Sequence, residues 1–391
     1  MTIDPLRASM RNPGIDLLRG LAILLVILVH LRIRIPVKDS LVADILPHWL
    51  IKALTDRGHE AVYVFFVISG FLITSHALMR WRELHQMDAL AFWTRRAARI
   101  LPCLLVLIAV LSGLHLLNVQ GYAIWREGQS LSGAIVAALG FHINWYEGQH
   151  GYLPGSWDIL WSLAIEEIFY LGFPIACLLI RSRAAMMILL ALFAASLPIL
   201  KATVGGSEIW QQKAYLPGMS AISAGVLAAL IASKIQALSM AQLRVLHGIG
   251  TAGLLAVMGL TDHIATLQYV LPLLLTASTV CLILGFHWQA KLGTLRSLPG
   301  TRWLGSMGRL SYEVYLSHMF VVLSVASFMK AAQWDPYWGF VWYLPAILIA
   351  WGLGSLIERY LSMPSMKWLL RKAITDGGLS GDECVGVRRD A

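Results

Sequence analysis

Apolar stretches of bilayer-spanning length follow one another along almost the whole chain, separated by short segments rich in arginine, lysine, glycine and proline. A helix rises 1.5 Å per residue, so about 20 apolar residues cross ~30 Å of hydrocarbon. On that measure the pattern predicts ten helices, over 15–31, 59–79, 98–118, 157–180, 184–200, 215–233, 244–261, 267–287, 311–330 and 339–360. A further run, 131–145 (LSGAIVAALGFHINW), is short and interrupted. The expected fold is an all-α polytopic membrane protein, a bundle of about ten transmembrane helices plus a short re-entrant or outer-surface helix. The expected organisation is an N-terminal segment (1–11), one membrane domain (12–361) and a C-terminal tail (362–391). No soluble stretch is large enough for a core of its own. The first apolar run lacks a small-residue cleavage site, which predicts a retained helix and not a signal peptide.

Composition agrees with the pattern. The chain is 58% hydrophobic and 14% charged, with a mean hydropathy of +0.67, whereas soluble chains are about a quarter charged. The net charge of +9 would suit nucleic acid, but its distribution points elsewhere. If 131–145 does not cross, 21 basic residues fall inside and 9 outside, with Arg19 within a span; if it crosses, the count becomes 10 and 20. Cytoplasmic loops carry the excess of Lys and Arg, so the first arrangement is expected, with ten full spans and both termini cytoplasmic. The basic charge is then a topology signal, and no nucleic-acid partner is expected. Segment 119–156 becomes a long outer loop whose aromatic and polar content suits either a membrane interface or a sugar surface.

Several polar residues break the rules of membrane helices. In GIDLLRGLAILLVILVH (14–30), Arg19 and His30 lie eleven positions apart. That is three turns plus about 20°, so they share a face roughly 16 Å apart along the axis. Either the arginine snorkels and the histidine bonds a neighbouring helix, or both face a wet functional cavity. In GHEAVYVFFVISGFLIT (58–74), Ser69 and Gly70 interrupt an aromatic span, which close helix packing alone would explain. TRRAARILP (94–102) puts Arg95, Arg96 and Arg99 at the expected start of a helix, as a phosphate-binding cluster or a topogenic one. SWDILWSLAIEEIFYLGFP (156–174) carries Asp158, Glu166 and Glu167 into an apolar helix, with Glu166 on one stripe with Ser162, Phe169, Tyr170 and Phe173. Burial would raise these carboxyls towards a range useful for proton transfer; pairing with a basic neighbour is the alternative. In LSYEVYLSHMF (310–320), Tyr315, His318 and Glu313 are expected to form a polar stripe. Cys103, Cys177 and Cys281 lie in apolar spans and Cys384 in the tail, without metal-type or redox-type spacing, so structural thiols and no metal are expected.

Taken in order, the Arg19–His30 helix, FFVISGFLIT, RRAARILP, WSLAIEEIFYLGFP and LSYEVYLSHMF resemble the acyltransferase-3 family of membrane acyltransferases, over roughly residues 12–361. The resemblance maps the family's arginine–histidine helix onto Arg19 and His30, and its two-arginine motif onto Arg96 and Arg99. Its aromatic-serine-glycine motif falls on Phe65, Phe66, Ser69 and Gly70. Its tryptophan-serine-leucine stretch falls on Trp161, Ser162, Leu163 and Glu166, and its late polar motif on Ser311, Tyr312 and His318. Two departures are Ala61, where glycine is common, and ERYLSMPSM (358–366), which matches the usual ending only loosely. Some relatives carry an added periplasmic esterase-like domain; the short charged tail gives no expectation of one.

The resemblance implies transfer of an acyl group, commonly acetyl, from acyl-CoA to a hydroxyl of a sugar-containing or glycolipid acceptor, in the bacterial cytoplasmic (inner) membrane. On that reading Arg96, Arg99 and Arg95, with Arg19, hold the donor, although Arg19 alternatively only stabilises the inner end of the cavity. His30 acts as general base or covalent acyl carrier, and Glu166 orients His30 or binds the acceptor. Ser69, Trp161, Tyr312 and His318 contact substrate. A transporter or flippase using the same buried groups is the rival reading, although no inverted repeat is visible in the span pattern. A non-catalytic membrane component is the third.

Overall fold

A computed structural model describes residues 12–260, 265–296 and 299–375; the expectations for 1–11, Cys384 and the rest of the distal tail fall outside them. The described residues form helices and no strand. In chain order the principal elements are α1 (Pro13–Arg34), α2 (Gly58–Trp81), α3 (Ala89–Leu116), α4 (Leu131–Leu139), α5 (Ile143–His150), α6 (Leu160–Leu179), α7 (Arg183–Ala195) and α8 (Leu197–Thr203). They continue with α9 (Tyr215–Lys234), α10 (Met240–Leu260), α11 (Leu271–Lys291), α12 (Arg302–Arg309), α13 (Ser311–Ala331), α14 (Tyr343–Ile357) and α15 (Met363–Thr375). Among the described residues, nine helical segments are long and apolar enough to cross a membrane, and the bent pair α7–α8 makes up to ten.

Local chemistry explains the helix ends. The Asn12 side chain accepts from the Gly14 and Ile15 amides at the start of α1, where Pro13 occupies the first turn. Between α7 and α8 the axis turns by 46°. Pro198, at the start of α8, has no N–H to continue the ladder, and the Ser196 hydroxyl donates back to the Phe193 carbonyl.

The structure moves two helix bounds and bears out the interruption expected in run 131–145. The third helix begins at Ala89, capped by the Asp88 carboxylate on the Ala91 amide, so Arg95, Arg96 and Arg99 lie beyond its first turn. The anion-attracting N-terminal amides are therefore not at the arginines. Run 131–145 breaks into α4 and α5; nine residues cover only about 14 Å, half a hydrocarbon layer. The last helical segment runs from Pro336 to Thr375 and passes through a π-helical turn at Glu358–Ser362. Its final stretch, α15, sets Leu370 against Ala91 and Ala98 of α3.

Close backbone approach fixes the centre of the bundle. A Cβ at Gly70 of α2 would stand 2.1 Å from the Ile222 carbonyl oxygen of α9. One at Gly225 of α9 would stand 2.0 Å from the Val67 oxygen of α2. These two glycines let α2 and α9 touch along their backbones. Gly70 thus serves packing, while the neighbouring Ser69 points to a different surface.

Candidate active site

Five helices enclose a cavity of about 780 Å³, within the roughly 300–1,000 Å³ typical of small-molecule sites. Arg19 enters it from α1 and Phe65 and Ser69 from α2. Arg95, Arg96 and Arg99 come from α3, Ser162 and Glu166 from α6, and Ser311, Tyr312 and Tyr315 from α13. The i, i+4 spacing of Ser162 and Glu166, and of Ser311 and Tyr315, places each pair on one helical face. Basic groups dominate the polar lining, His76 and Arg80 of α2 among them, while Ile68, Leu72 and Ile73 supply apolar wall.

A compact ionic cluster organises one wall. The Arg96 guanidinium donates from Nε to Glu167 Oε2 at 3.0 Å and approaches Glu167 Oε1 at 2.7 Å. It also donates to Glu166 Oε2 at 3.2 Å. The Ser69 hydroxyl donates to that same Glu166 oxygen at 2.8 Å, and the Tyr170 hydroxyl donates to Ser69 at 3.0 Å. The guanidinium lies 4.0 Å from the Tyr170 ring centroid, a cation–π contact. Arg96 therefore spends its fork on two carboxylates and its face on an aromatic ring.

Arg99 and Arg19 are held differently. Arg99 is 39% exposed on its side chain, with one loose approach of 3.8 Å to Glu313. Glu313 itself is buried and accepts from Ser362 of the π-helical turn at 2.8 Å. Arg19 donates to the Ser311 hydroxyl at 2.8 Å. Tyr312 sends its hydroxyl to the Ile100 carbonyl, 2.9 Å away, and lies under the Arg99 guanidinium.

Beyond Tyr315 lies a histidine pair. Tyr315 lines the cavity; its hydroxyl accepts from Ser162 at 2.8 Å and donates to the Ile159 carbonyl at 2.9 Å. The Tyr315 ring centroid is 5.8 Å from that of His318, which in turn is 5.1 Å from His30. His318 is fully buried and His30 half-buried. Arg34 and Lys213 stand near enough to act on His30 electrostatically. His59 of α2 stacks on Trp161 with centroids 5.4 Å apart.

At the same end, Lys213 joins the bundle to the segment between α3 and α6. Its ammonium bonds Glu147 of α5 at 2.7 Å and also contacts Asp158. Lys213 is flanked by Asn144, whose amide donates to the Lys213 and Trp161 carbonyls. Two carboxylates share one ammonium here, and burial with the Asp158 charge pushes the Glu147 carboxyl up to about 8.

Seven of the ten residues given a catalytic or binding role from the sequence (Arg19, Ser69, Arg95, Arg96, Arg99, Glu166 and Tyr312) line this cavity. His30, Trp161 and His318 do not line it. Glu166 is bonded to Ser69 and Arg96, not to His30. Glu313 does not join Tyr315 and His318 in one stripe: residues two apart on a helix point about 200° apart, and Glu313 faces Ser362 instead. His59, Lys213 and Glu147 were not named in the sequence reading, Tyr170 was named only for its place on the Glu166 stripe, and Asp158 only as a carboxyl entering an apolar helix. The mid-span hydroxyl of Tyr170 was the available signal, whereas Lys213 and Glu147 find each other only through tertiary packing. Among the described residues, no group of three His, Cys, Asp or Glu side chains is arranged to hold a metal ion.

No solved structure matches the chain. It is similar to the peptidoglycan O-acetyltransferase OatA of Listeria monocytogenes serovar 1/2a (strain ATCC BAA-679 / EGD-e), 30% identical over 216 residues, 53% of this chain and 29% of that protein. It is also similar to the O-acetyltransferase OatA of Staphylococcus aureus (strain NCTC 8325 / PS 47), 34% identical over 169 residues, 42% of this chain and 24% of that protein. The aligned region thus spans about a quarter of the length of these curated relatives. The Acyltransferase domain family matches residues 12–357, and that match takes in every helix that lines the cavity. With nearly the whole bundle covered, the chain belongs to the acyltransferase-3 family of membrane acyltransferases.

Proposed function

We propose that the chain is a membrane O-acetyltransferase that moves acetyl from acetyl-CoA to a hydroxyl of a sugar-containing acceptor of the bacterial cell envelope. The observation that carries the reading is the arginine-lined cavity that includes Tyr315 in its wall, with His318 beside the Tyr315 ring and His30 beside His318. The O-acetyltransferase names of both relatives support the reaction type, and that of the Listeria protein supports a polysaccharide acceptor.

On this reading the donor's phosphates meet Arg99 and Arg19, whose guanidinium groups suit phosphate oxygens. The pantetheine arm runs along the apolar wall towards Tyr315. His30 takes the proton from the acceptor hydroxyl, and the oxygen attacks the thioester carbonyl. Collapse of the tetrahedral intermediate breaks the carbon–sulfur bond, and the thiolate receives the proton from His30 as free CoA. Glu166, Ser69 and Tyr170 shape the wall beside the thioester, while Arg96 balances the charge of Glu166 and Glu167. The positive-inside count supports a donor bound from the cytoplasmic side of the inner membrane and an acceptor reached from the His30 end.

The test uses purified protein in vesicles with [14C]acetyl-CoA and solubilised envelope polysaccharide. CoA release coupled to labelled polysaccharide is expected. Movement of solute across the vesicle without thioester consumption would overturn acyl transfer in favour of transport.

A further inference from the structure

The histidine pair carries more information than His30 alone. His318 Nδ1 lies 2.7 Å from the Tyr315 carbonyl oxygen, one turn back on α13. A carbonyl only accepts, so Nδ1 bears the proton and the neutral ring keeps its lone pair on Nε2. That Nε2 atom is buried and has no hydrogen-bond partner. A buried acceptor without a donor is costly, and such an atom calls for a functional account. The polar rings against His318 are Tyr315, whose hydroxyl is already committed to Ile159, and His30. With centroids 5.1 Å apart, His30 is the adjacent ring that carries an N–H to offer.

We infer that His318 is a positioning residue: its Nε2 lone pair is set to accept a hydrogen bond from His30 and so to steady the proton that His30 takes from the acceptor. This inference rests on the reading of His30 as the base. In the step, the acceptor O–H bond breaks and an N–H bond forms on one nitrogen of His30. The other His30 N–H donates to His318 Nε2, spreading the new positive charge. When the thiolate leaves, the His30 N–H breaks and the S–H forms. His318 holds its own proton on Nδ1 throughout, locked by the Tyr315 carbonyl. That carbonyl belongs to a residue whose side chain lines the cavity, so the orientation of the pair is tied to the cavity wall.

Two substitutions separate this role from a structural one. His318→Asn keeps an N–H where Nδ1 stands and can preserve the bond to Tyr315, but it removes the acceptor at the Nε2 position. His318→Gln reaches the Nε2 position with an amide oxygen but gives up the Tyr315 bond. Full-length protein in native membrane vesicles is given [14C]acetyl-CoA, with label in the envelope polysaccharide fraction as readout. His318→Asn should insert at wild-type level and lose roughly 10- to 150-fold in maximal rate, the range for a hydrogen bond to a charged group, with the KM for acetyl-CoA unchanged. His318→Gln should retain more rate than His318→Asn. Wild-type rate in His318→Asn, or activity in Asn with none in Gln, would overturn the inference and leave the base assignment standing. Full activity in His30→Ala would overturn the base assignment, and the inference with it.

Discussion

Arg96 and Arg99 are one turn apart on the same helix, yet their surroundings predict opposite phenotypes. Arg96 is 14% exposed and faces Glu167, 9% exposed, with contacts of 3.0 and 2.7 Å, and Glu166 at 3.2 Å. Removing it by Arg96→Ala leaves a buried carboxylate uncompensated, a change that costs about 3–5 kcal/mol. Net stabilities of domains run at roughly 5–15 kcal/mol, so the loss is a large share of the total. The substitution also strips the cation from the Tyr170 ring and one donor from the Glu166 oxygen that Ser69 shares. The second variant, Arg96→Ala with Glu167→Gln, removes the stranded charge and should recover most of the lost stability. Thermal unfolding of detergent-solubilised protein, followed by fluorescence-detected size exclusion, should rank wild type above the double variant and the double variant above Arg96→Ala. If Arg96→Ala unfolded like wild type and only raised the KM for acetyl-CoA, the charge-balancing role would be refuted.

Arg99→Ala should raise the KM for acetyl-CoA by roughly 10- to 150-fold in initial-rate assays, the worth of a charge-assisted hydrogen bond, with a smaller effect on unfolding than Arg96→Ala. Gly70→Ala drives a methyl into the Ile222 carbonyl oxygen and should destabilise by about 1–3 kcal/mol, read as a lower unfolding midpoint and lower membrane yield. The raised Glu147 carboxyl makes the folded state bind a proton that the unfolded chain releases near 4.5, so its contribution is complete below 4.5 and is lost as pH climbs through about 8. Unfolding midpoints measured across that window should fall with pH in wild type, and the fall should be shallower in Glu147→Gln.

Much of the bundle was legible because hydrocarbon thickness dictates helix length, and few charges interrupt the runs. The site was legible where its residues share a helical face, as Ser162 and Glu166 do, or fall within one motif, as Arg95, Arg96 and Arg99 do. What separates Arg96 from Arg99 was not legible. Their partners, Glu167 and Glu313, come from helices distant in the chain, and both arginines read alike in RRAAR. The early start of α3 was missed because hydropathy places arginines outside a span, whereas Glu166 and Glu167 let Arg96 sit against the bundle. Ser362 carried no sequence signal; a π-helical turn brings its hydroxyl onto Glu313.

The central claim is that this cavity serves acyl transfer through His30. Its most direct test is label transfer from [14C]acetyl-CoA to envelope polysaccharide in vesicles carrying His30→Ala at wild-type insertion. The account predicts a loss of at least about 100-fold in transfer rate, the lower end of general-base catalysis, with acetyl-CoA binding retained. Transfer at the wild-type rate in that variant would contradict it.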